Sequence, residues 1–256
     1  MLYRCGQCQK DFEVASDGNY RCPHCQTFVR VGVVQPQVLD WEHRKEIGFW
    51  KAFFETLKKS LLDPVSFFDS VPPSGGFESP IYFGVICGVI GMLFSLLYQF
   101  AFQGMGFLFQ SMMKPLNSQE LVIGGGLTLF IFSIIALTAP ITAFVSMFIR
   151  AGIYHLFLWL VGGNQKGFEA TFRAFAYSQG PQILQIVPFL GPFVTWIWEL
   201  ILLILGLKRI HETTYGKSLA AVLLPMLLLC ALTIFLVVGL IFLIAALIGY
   251  GNAQRF

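Results

Sequence analysis

Charge is what this chain of 256 residues has least of: Asp, Glu, Lys and Arg make up 12%, against about 25% in an ordinary soluble domain. Hydrophobic residues make up 56%, so a soluble globule is not expected. The shortage is uneven. Residues 1–79 hold 9 of the 17 Lys and Arg and 10 of the 14 Asp and Glu, which divides the chain near Pro80 into a polar head and an apolar body. A net charge of +3 is too small to argue for nucleic acid, and the excess lies in the apolar half, where it reports topology. An apolar leader region is missing from the first 30 residues, so no cleaved signal peptide is expected and the N-terminus is assigned to the cytoplasm. Catalytic signatures are missing too: there is no GxSxG, HExxH or phosphate-binding glycine loop. Glu169 and Arg173 have the ExxxR spacing of intramembrane prenyl proteases, but without a second adjacent Glu or paired His motifs an i, i+4 salt bridge is the better reading. The chain is not expected to be an enzyme.

Cysteine is scarce beyond residue 25. Cys87 and Cys230 stand alone in apolar stretches, where a thiol packs as a small hydrophobe. The other four lie in two copies of one motif, Tyr3-Arg4-Cys5-Gly6-Gln7-Cys8-Gln9 and Tyr20-Arg21-Cys22-Pro23-His24-Cys25-Gln26. Each CxxC turn aims two thiolates at one ion, and two turns complete the four-sulfur tetrahedron that zinc accepts. Cys5, Cys8, Cys22 and Cys25 are therefore the expected ligands of one structural Zn2+, with His24 outside the shell. The 13 intervening residues suit a hairpin turning at Asp17-Gly18-Asn19, and alternation at Phe12, Val14, Phe28, Val29, Val31 and Val33 predicts short strands. So small a core needs its metal to fold, so residues 1–40 read as a β-hairpin zinc ribbon. A docking surface or a fold anchor fits its balanced charge better than a nucleic-acid reader.

Between residues 41 and 79, Ile47, Trp50, Phe54, Leu57 and Leu61 recur at helical spacing opposite Lys51, Glu55, Lys58 and Lys59. This predicts an amphipathic helix, either lying in the headgroup layer or packed on other helices. Asp63-Pro64 ends it, and Pro72-Pro73-Ser74-Gly75-Gly76 reads as a flexible connection.

Residues 80–256 contain apolar runs at 80–103, 121–161, about 169–188, 192–207 and 219–249. The run 121–161 is about 60 Å long as helix, twice the apolar thickness, and crosses either twice with a break at Pro140 or once. Charge favours one crossing. The head, the loop with Lys166 and Arg173 and the loop with Lys208, Arg209 and Lys217 then all face the cytoplasm. The expected fold is an all-α membrane protein with five transmembrane helices, N-terminus in and C-terminus out. Residues 104–120 and Phe189-Leu190-Gly191 form the outer loops.

Polar residues inside such a body are costly, and a functional site is sought among them. The candidates are Arg150, His155, Tyr177, Gln179, Gln182, Gln185 and Glu199. Glu199, beside Trp196 and Trp198, reads either as part of an ion or proton relay or as a carboxyl paired within the bundle. The three Gln, at steps of three around Gly180-Pro181, read as a helix–helix seam or as a substrate path.

The run Phe168-Glu169-Ala170-Thr171-Phe172-Arg173-Ala174-Phe175-Ala176-Tyr177, then Pro181, Val187-Pro188-Phe189-Leu190-Gly191 and Leu205-Gly206-Leu207-Lys208-Arg209-Ile210-His211, resembles the bacterial branch of the Yip (Ypt/Rab-interacting protein) membrane family. Leu62-Asp63-Pro64-Val65-Ser66-Phe67-Phe68 resembles that family's pre-membrane segment, and the likeness covers roughly residues 48–250. The first 30 residues resemble zinc-ribbon modules of bacterial proteins. The resemblance implies five spans and a cytosolic N-terminus. Eukaryotic members bind Rab-type GTPases, but their Asp-Leu-Tyr-Gly-Pro motif is absent from residues 1–79, so that role is not carried over. The expected function is a non-enzymatic scaffold or membrane organiser of the cell membrane, the inner one in a Gram-negative cell. Its partners are the lipid bilayer and a cytoplasmic or membrane protein docked by the ribbon; nucleic acid is not among them, and a homo-oligomer stays open. The rival is a transporter or permease subunit built around Glu199.

Overall fold

A computed structural model describes residues 2–5, 7–13, 18–31, 39–113 and 118–253, and divides the chain into two compact units, Met1–Val38 and Leu39–Phe256. The first unit contains two antiparallel hairpins. Strand β1 (Leu2–Arg4) pairs with β2 (Asp11–Glu13), placing Tyr3 opposite Phe12, and β3 (Gly18–Arg21) pairs with β4 (Phe28–Val31), placing Tyr20 opposite Val29. The expected turn at Asp17-Gly18-Asn19 is thereby corrected. Gly18 and Asn19 are in β3, paired with Val31 and Arg30, and each hairpin instead turns through its own CxxC. The reason lies in the repeat: Cys5 and Cys22 each donate their amide five residues on, to Lys10 and Thr27 (3.0 Å in both), and accept from Gln9 and Gln26 (2.8 Å in both). Two copies of one sequence make one local bonding pattern twice. Phe12, Cys5 and Cys22 are buried against Tyr20 and Val29. Asp17 and the expected strand residues Val14 and Val33 lie outside the described residues.

The second unit opens with a 3-10 turn, Asp40–His43, and three short helices: α1 (Arg44–Ile47), α2 (Phe49–Leu62) and α3 (Pro64–Asp69). Asp63 caps α3 by accepting from the Ser66 amide at 3.3 Å, and Pro64 fills a first-turn position where its missing N–H costs nothing. The amphipathic helix α2 packs on the bundle through Ala52, Phe53, Thr56, Leu57 and Ser60. That contact divides the predicted stripe: Leu57 turns inward, while Trp50 and Phe54 stay 68% and 58% exposed beside Lys51 and Lys58.

Four long helices follow the apolar runs: α4 (Glu78–Met113), α5 (Ser118–Leu160), α7 (Leu190–Ile210) and α8 (Tyr215–Ala253). Within each lies a stretch long and apolar enough to cross a bilayer. Helix α5 runs through Pro140 without ending, so 121–160 lies in one helix. Most of the expected loop 104–120 is helical, because α4 continues to Met113 and α5 starts at Ser118.

The segment 169–188 departs most from expectation. It is not one spanning helix but α6 (Gly167–Tyr177) followed by a 3-10 turn, Gly180–Ile186. Pro181 supplies no backbone N–H, and Gly180 is approached so closely by α2 that a Cβ there would lie 2.6 Å from Ser60 Oγ. The Thr195 hydroxyl on α7 takes up the Pro181 carbonyl at 3.0 Å. Helix α6 is the centre of the unit: every residue from Ala170 to Tyr177 is buried, among α4, α5 and α7. Phe148 stacks on Phe172 at 4.5 Å between ring centres, and Phe83 and Phe67 meet Tyr177 at 5.6 and 6.0 Å.

The connection at 72–76 is likewise not a free linker. Arg173, fully buried on α6, donates to the carbonyls of Pro72 (2.7 Å) and Gly76 (2.8 Å), and the amides of Gly75 and Gly76 both donate to Glu169 Oε1 at 2.7 Å. Both glycines have left-handed φ, +139° and +87°, which aims two successive N–H groups at one carboxylate. Glu169 and Arg173 therefore serve the strap and not each other, in place of the expected i, i+4 pair.

Candidate functional site

The four cysteines of the ribbon form one cluster. Their Sγ atoms all lie within 4.8 Å of one another, with Cys5 to Cys25 and Cys8 to Cys22 both 3.6 Å apart. Four sulfurs bound at about 2.3 Å around one ion stand about 3.8 Å apart along a tetrahedral edge, so the donor set fits a tetrahedral metal ion. Cys5 and Cys22 are buried, Cys8 and Cys25 half-buried, and His24 is exposed outside the cluster. The cysteines are pulled in opposite directions: against the Lys10 amide, burial and the neighbouring cysteine thiols push Cys8 up to about 11. Bonds from the Thr27 hydroxyl and amide draw Cys25 down to about 6, and the Cys8 and Gln7 amides lower Cys5. Gln9 and Gln26 close the two knuckles in left-handed conformation, φ +56° and +57°.

The intramembrane candidates separate into three groups. Glu199, buried on α7, binds Arg150 Nη2 of α5 at 2.6 Å through Oε1. Gln179 Nε2 donates to the same oxygen at 2.9 Å, and Gln182 Nε2 to Oε2 at 2.7 Å. Gln185 donates to Gln182, and Ser95 of α4 to Gln185, so the chain of bonds links α5, α7, the 3-10 turn and α4. The Arg150 guanidinium lies over the Phe175 ring at 4.8 Å. Beside this group, a cleft of about 250 Å³ between α4, α5 and the 3-10 turn is lined by Ser95, Ser146, Arg150 and the three Gln.

His155 belongs elsewhere. Its Nδ1 lies 2.9 Å from the Thr171 hydroxyl, which also lies 2.9 Å from His211 Nε2. The amides of Gln165 and Lys166 both point at His211 Nδ1 from 3.3 Å, so this nitrogen carries no proton and Nε2 carries one. Burial, then the nearby His155 and Lys166, hold His211 down at about 4. Tyr177 is in the third group, donating to Glu42 together with Arg173. The sequence does not single out Ser95, Glu42, Thr171 or His211, because each is an ordinary polar residue until the fold supplies its partner.

Four apolar helices around a buried polar group fit an integral, multi-pass membrane protein. The chain belongs to the Yip1 domain family, whose profile matches residues 58–238. No curated protein and no solved structure matches it significantly.

Proposed function

We propose that the protein is a non-enzymatic membrane organiser whose zinc-loaded ribbon docks a protein partner from the cytoplasm. The carrying observation is that Met1–Val38 forms a compact unit of its own around a closed four-thiol cluster. Such a shell leaves no open coordination position for catalysis and is what a small recognition module requires to fold. Zinc suits it, being content with four thiolates and free of redox chemistry. Copurification of partners with the full chain and with a chain lacking residues 1–38 tests the reading; unchanged association after the deletion would end it, and metal analysis should return one zinc per chain.

Five crossings with the N-terminus inside are part of this reading. Lys217 reaches the Gly162 carbonyl at 2.9 Å and Lys166 pairs with Glu212 at 2.9 Å, so the turns 161–166 and 211–214 share one end of the bundle. On this reading α7 returns the chain to that end, and α6 with its 3-10 turn carries it across first. At ~1.5 and ~2.0 Å per residue the two together reach about 30 Å, the thickness of the hydrocarbon core. The shared end carries Lys166, Lys208, Arg209 and Lys217, the cytoplasmic signature, in a bacterial inner membrane on this reading. Cysteines introduced at Asn164 and Pro188 should label with an impermeant maleimide from opposite sides.

A second reading, transport, is favoured by the cleft beside Arg150, since an ion pair at a wet cavity in a bundle suits a substrate site. Liposome flux that falls in Glu199→Gln supports it; wild-type flux in that variant counts against it.

A further inference from the structure

Arg150 is a wall shared by three cavities. Besides the polar cleft, it borders a pocket of about 150 Å³ with Tyr154, Trp196 and Glu199, and an apolar groove of about 350 Å³ between α5 and α8 lined by Phe157, Pro225, Leu229 and Leu232. Tyr154 and Met226 line both the pocket and the groove, so the two adjoin. Glu199 lies about 15 Å from either end of α7, near mid-bilayer.

The ion pair is only partly consumed by its own partners. Arg150 has five N–H donors, and its side chain is 43% exposed even with one of them on Glu199. Glu199 accepts from Arg150, Gln179 and Gln182, which leaves one of the roughly four lone-pair positions of a carboxylate. A cation and an anion side by side are complementary to a ligand carrying both charges in reverse. A ligand with net charge would leave an unbalanced charge at mid-bilayer, and one without charge would leave both groups unserved. The pocket beside Glu199 is walled by the rings of Tyr154 and Trp196, the surroundings that attract an ammonium group. The groove offers room for a hydrocarbon chain and nothing polar other than Arg150 and the Tyr154 hydroxyl.

We propose that the Arg150–Glu199 pair is the headgroup site for a zwitterionic phospholipid, with phosphate on Arg150, ammonium between Glu199, Tyr154 and Trp196, and one acyl chain along the α5–α8 groove. The assignment rests on the second reading in using its site, and it names that site's ligand.

The test is native mass spectrometry of the full chain after delipidation and exposure to equal amounts of phosphatidylethanolamine, phosphatidylglycerol and diacylglycerol with identical acyl chains. Phosphatidylethanolamine should be retained at least about tenfold over each of the other two, equivalent to about 1.4 kcal/mol. Trp196→Leu and Leu229→Trp should each bring that ratio close to one. Leu229→Trp blocks the groove without touching a charge, so it keeps the test decisive if Arg150→Gln does not fold. Equal retention of phosphatidylglycerol, or undiminished selectivity in Leu229→Trp, overturns the proposal. Flux measured on the same protein separates the two ideas: selective retention without flux ends the transport reading and leaves this site standing, whereas flux without selective retention does the reverse.

Discussion

The four-thiol cluster and the Arg150–Glu199 group each gather costly polar side chains, but they are assembled over different distances along the chain. The cysteines lie within 21 residues and are set by two copies of one turn, so the ribbon carries its site in its local sequence. Arg150 and Glu199 are 49 residues apart, and Ser95 and Gln185 are 90 apart. Their site exists only once the helices have packed. On the proposed zinc reading the local site needs an ion for its fold, whereas the distributed one needs the fold to bring its ions together.

Removing one ligand should break that comparison most sharply. Cys22→Ser should abolish metal binding and unfold residues 1–38, because structural zinc supplies about 10–16 kcal/mol to such modules, and limited proteolysis should show the loss confined to that unit. In the body, Glu199→Ala takes the counter-ion from the half-exposed Arg150 and the acceptor from the buried Gln179, and should cost about 3 kcal/mol, read as a lower Tm in detergent. The double variant Arg150→Met with Glu199→Leu should regain most of this, since two apolar groups replace a matched pair. Arg173→Met should cost about 2–3 kcal/mol through lost charge-assisted bonds and expose Pro72–Gly76 to protease.

The smallest effect is an acid sensitivity. His211 is neutral in the fold with its pKa lowered to about 4, whereas the unfolded chain protonates near 6.5. The unfolded state therefore binds more protons between those values. Stability from this group is complete above pH 6.5, declines as pH falls and is gone below about 4, with a slope of at most about 1.4 kcal/mol per pH unit. His211→Asn should flatten the dependence of Tm on pH across that window.

Local signals in the sequence agree with the structure in part, the turn expected at Asp17-Gly18-Asn19 being the exception. The duplicated Tyr-Arg-Cys motif gives duplicated knuckles, and Asp63-Pro64 separates α2 from α3. Apolar runs located the four long helices. What remained hidden required a partner far away in the chain. Hydropathy gives 169–188 a continuous apolar run, but whether it forms one helix was decided by Pro181 and by Ser60 pressing on Gly180. Helical spacing paired Glu169 with Arg173, yet the fold offers Glu169 two glycine amides and Arg173 two carbonyls and a carboxylate, a better set than an i, i+4 contact. A Gly-rich strap reads as flexible when its binding partners are about 100 residues downstream. The intramembrane polar set looked like one site for the same reason: composition names residues that are costly to bury, and only packing distributes His155, Tyr177 and Glu199 among separate networks.

The Arg173 clamp also bears on the order in which the chain can be built. Glu42 is synthesised 131 residues before Arg173 and 135 before Tyr177, and Pro72 101 residues before Arg173. Helices α4 and α5 are thus made while the central position of the bundle is still vacant, and the pre-membrane segment then has only its contacts with the start of α4, Trp41 on the Ser79 carbonyl (2.7 Å) and Arg44 on Glu78 (3.0 Å). When α6 is made, one helix fills the core and fastens that segment in the same step. A nascent chain stalled before residue 167 lacks the helix that carries Arg173 and Tyr177, so the bonds to Glu42 and Pro72 can close only after α6 is made.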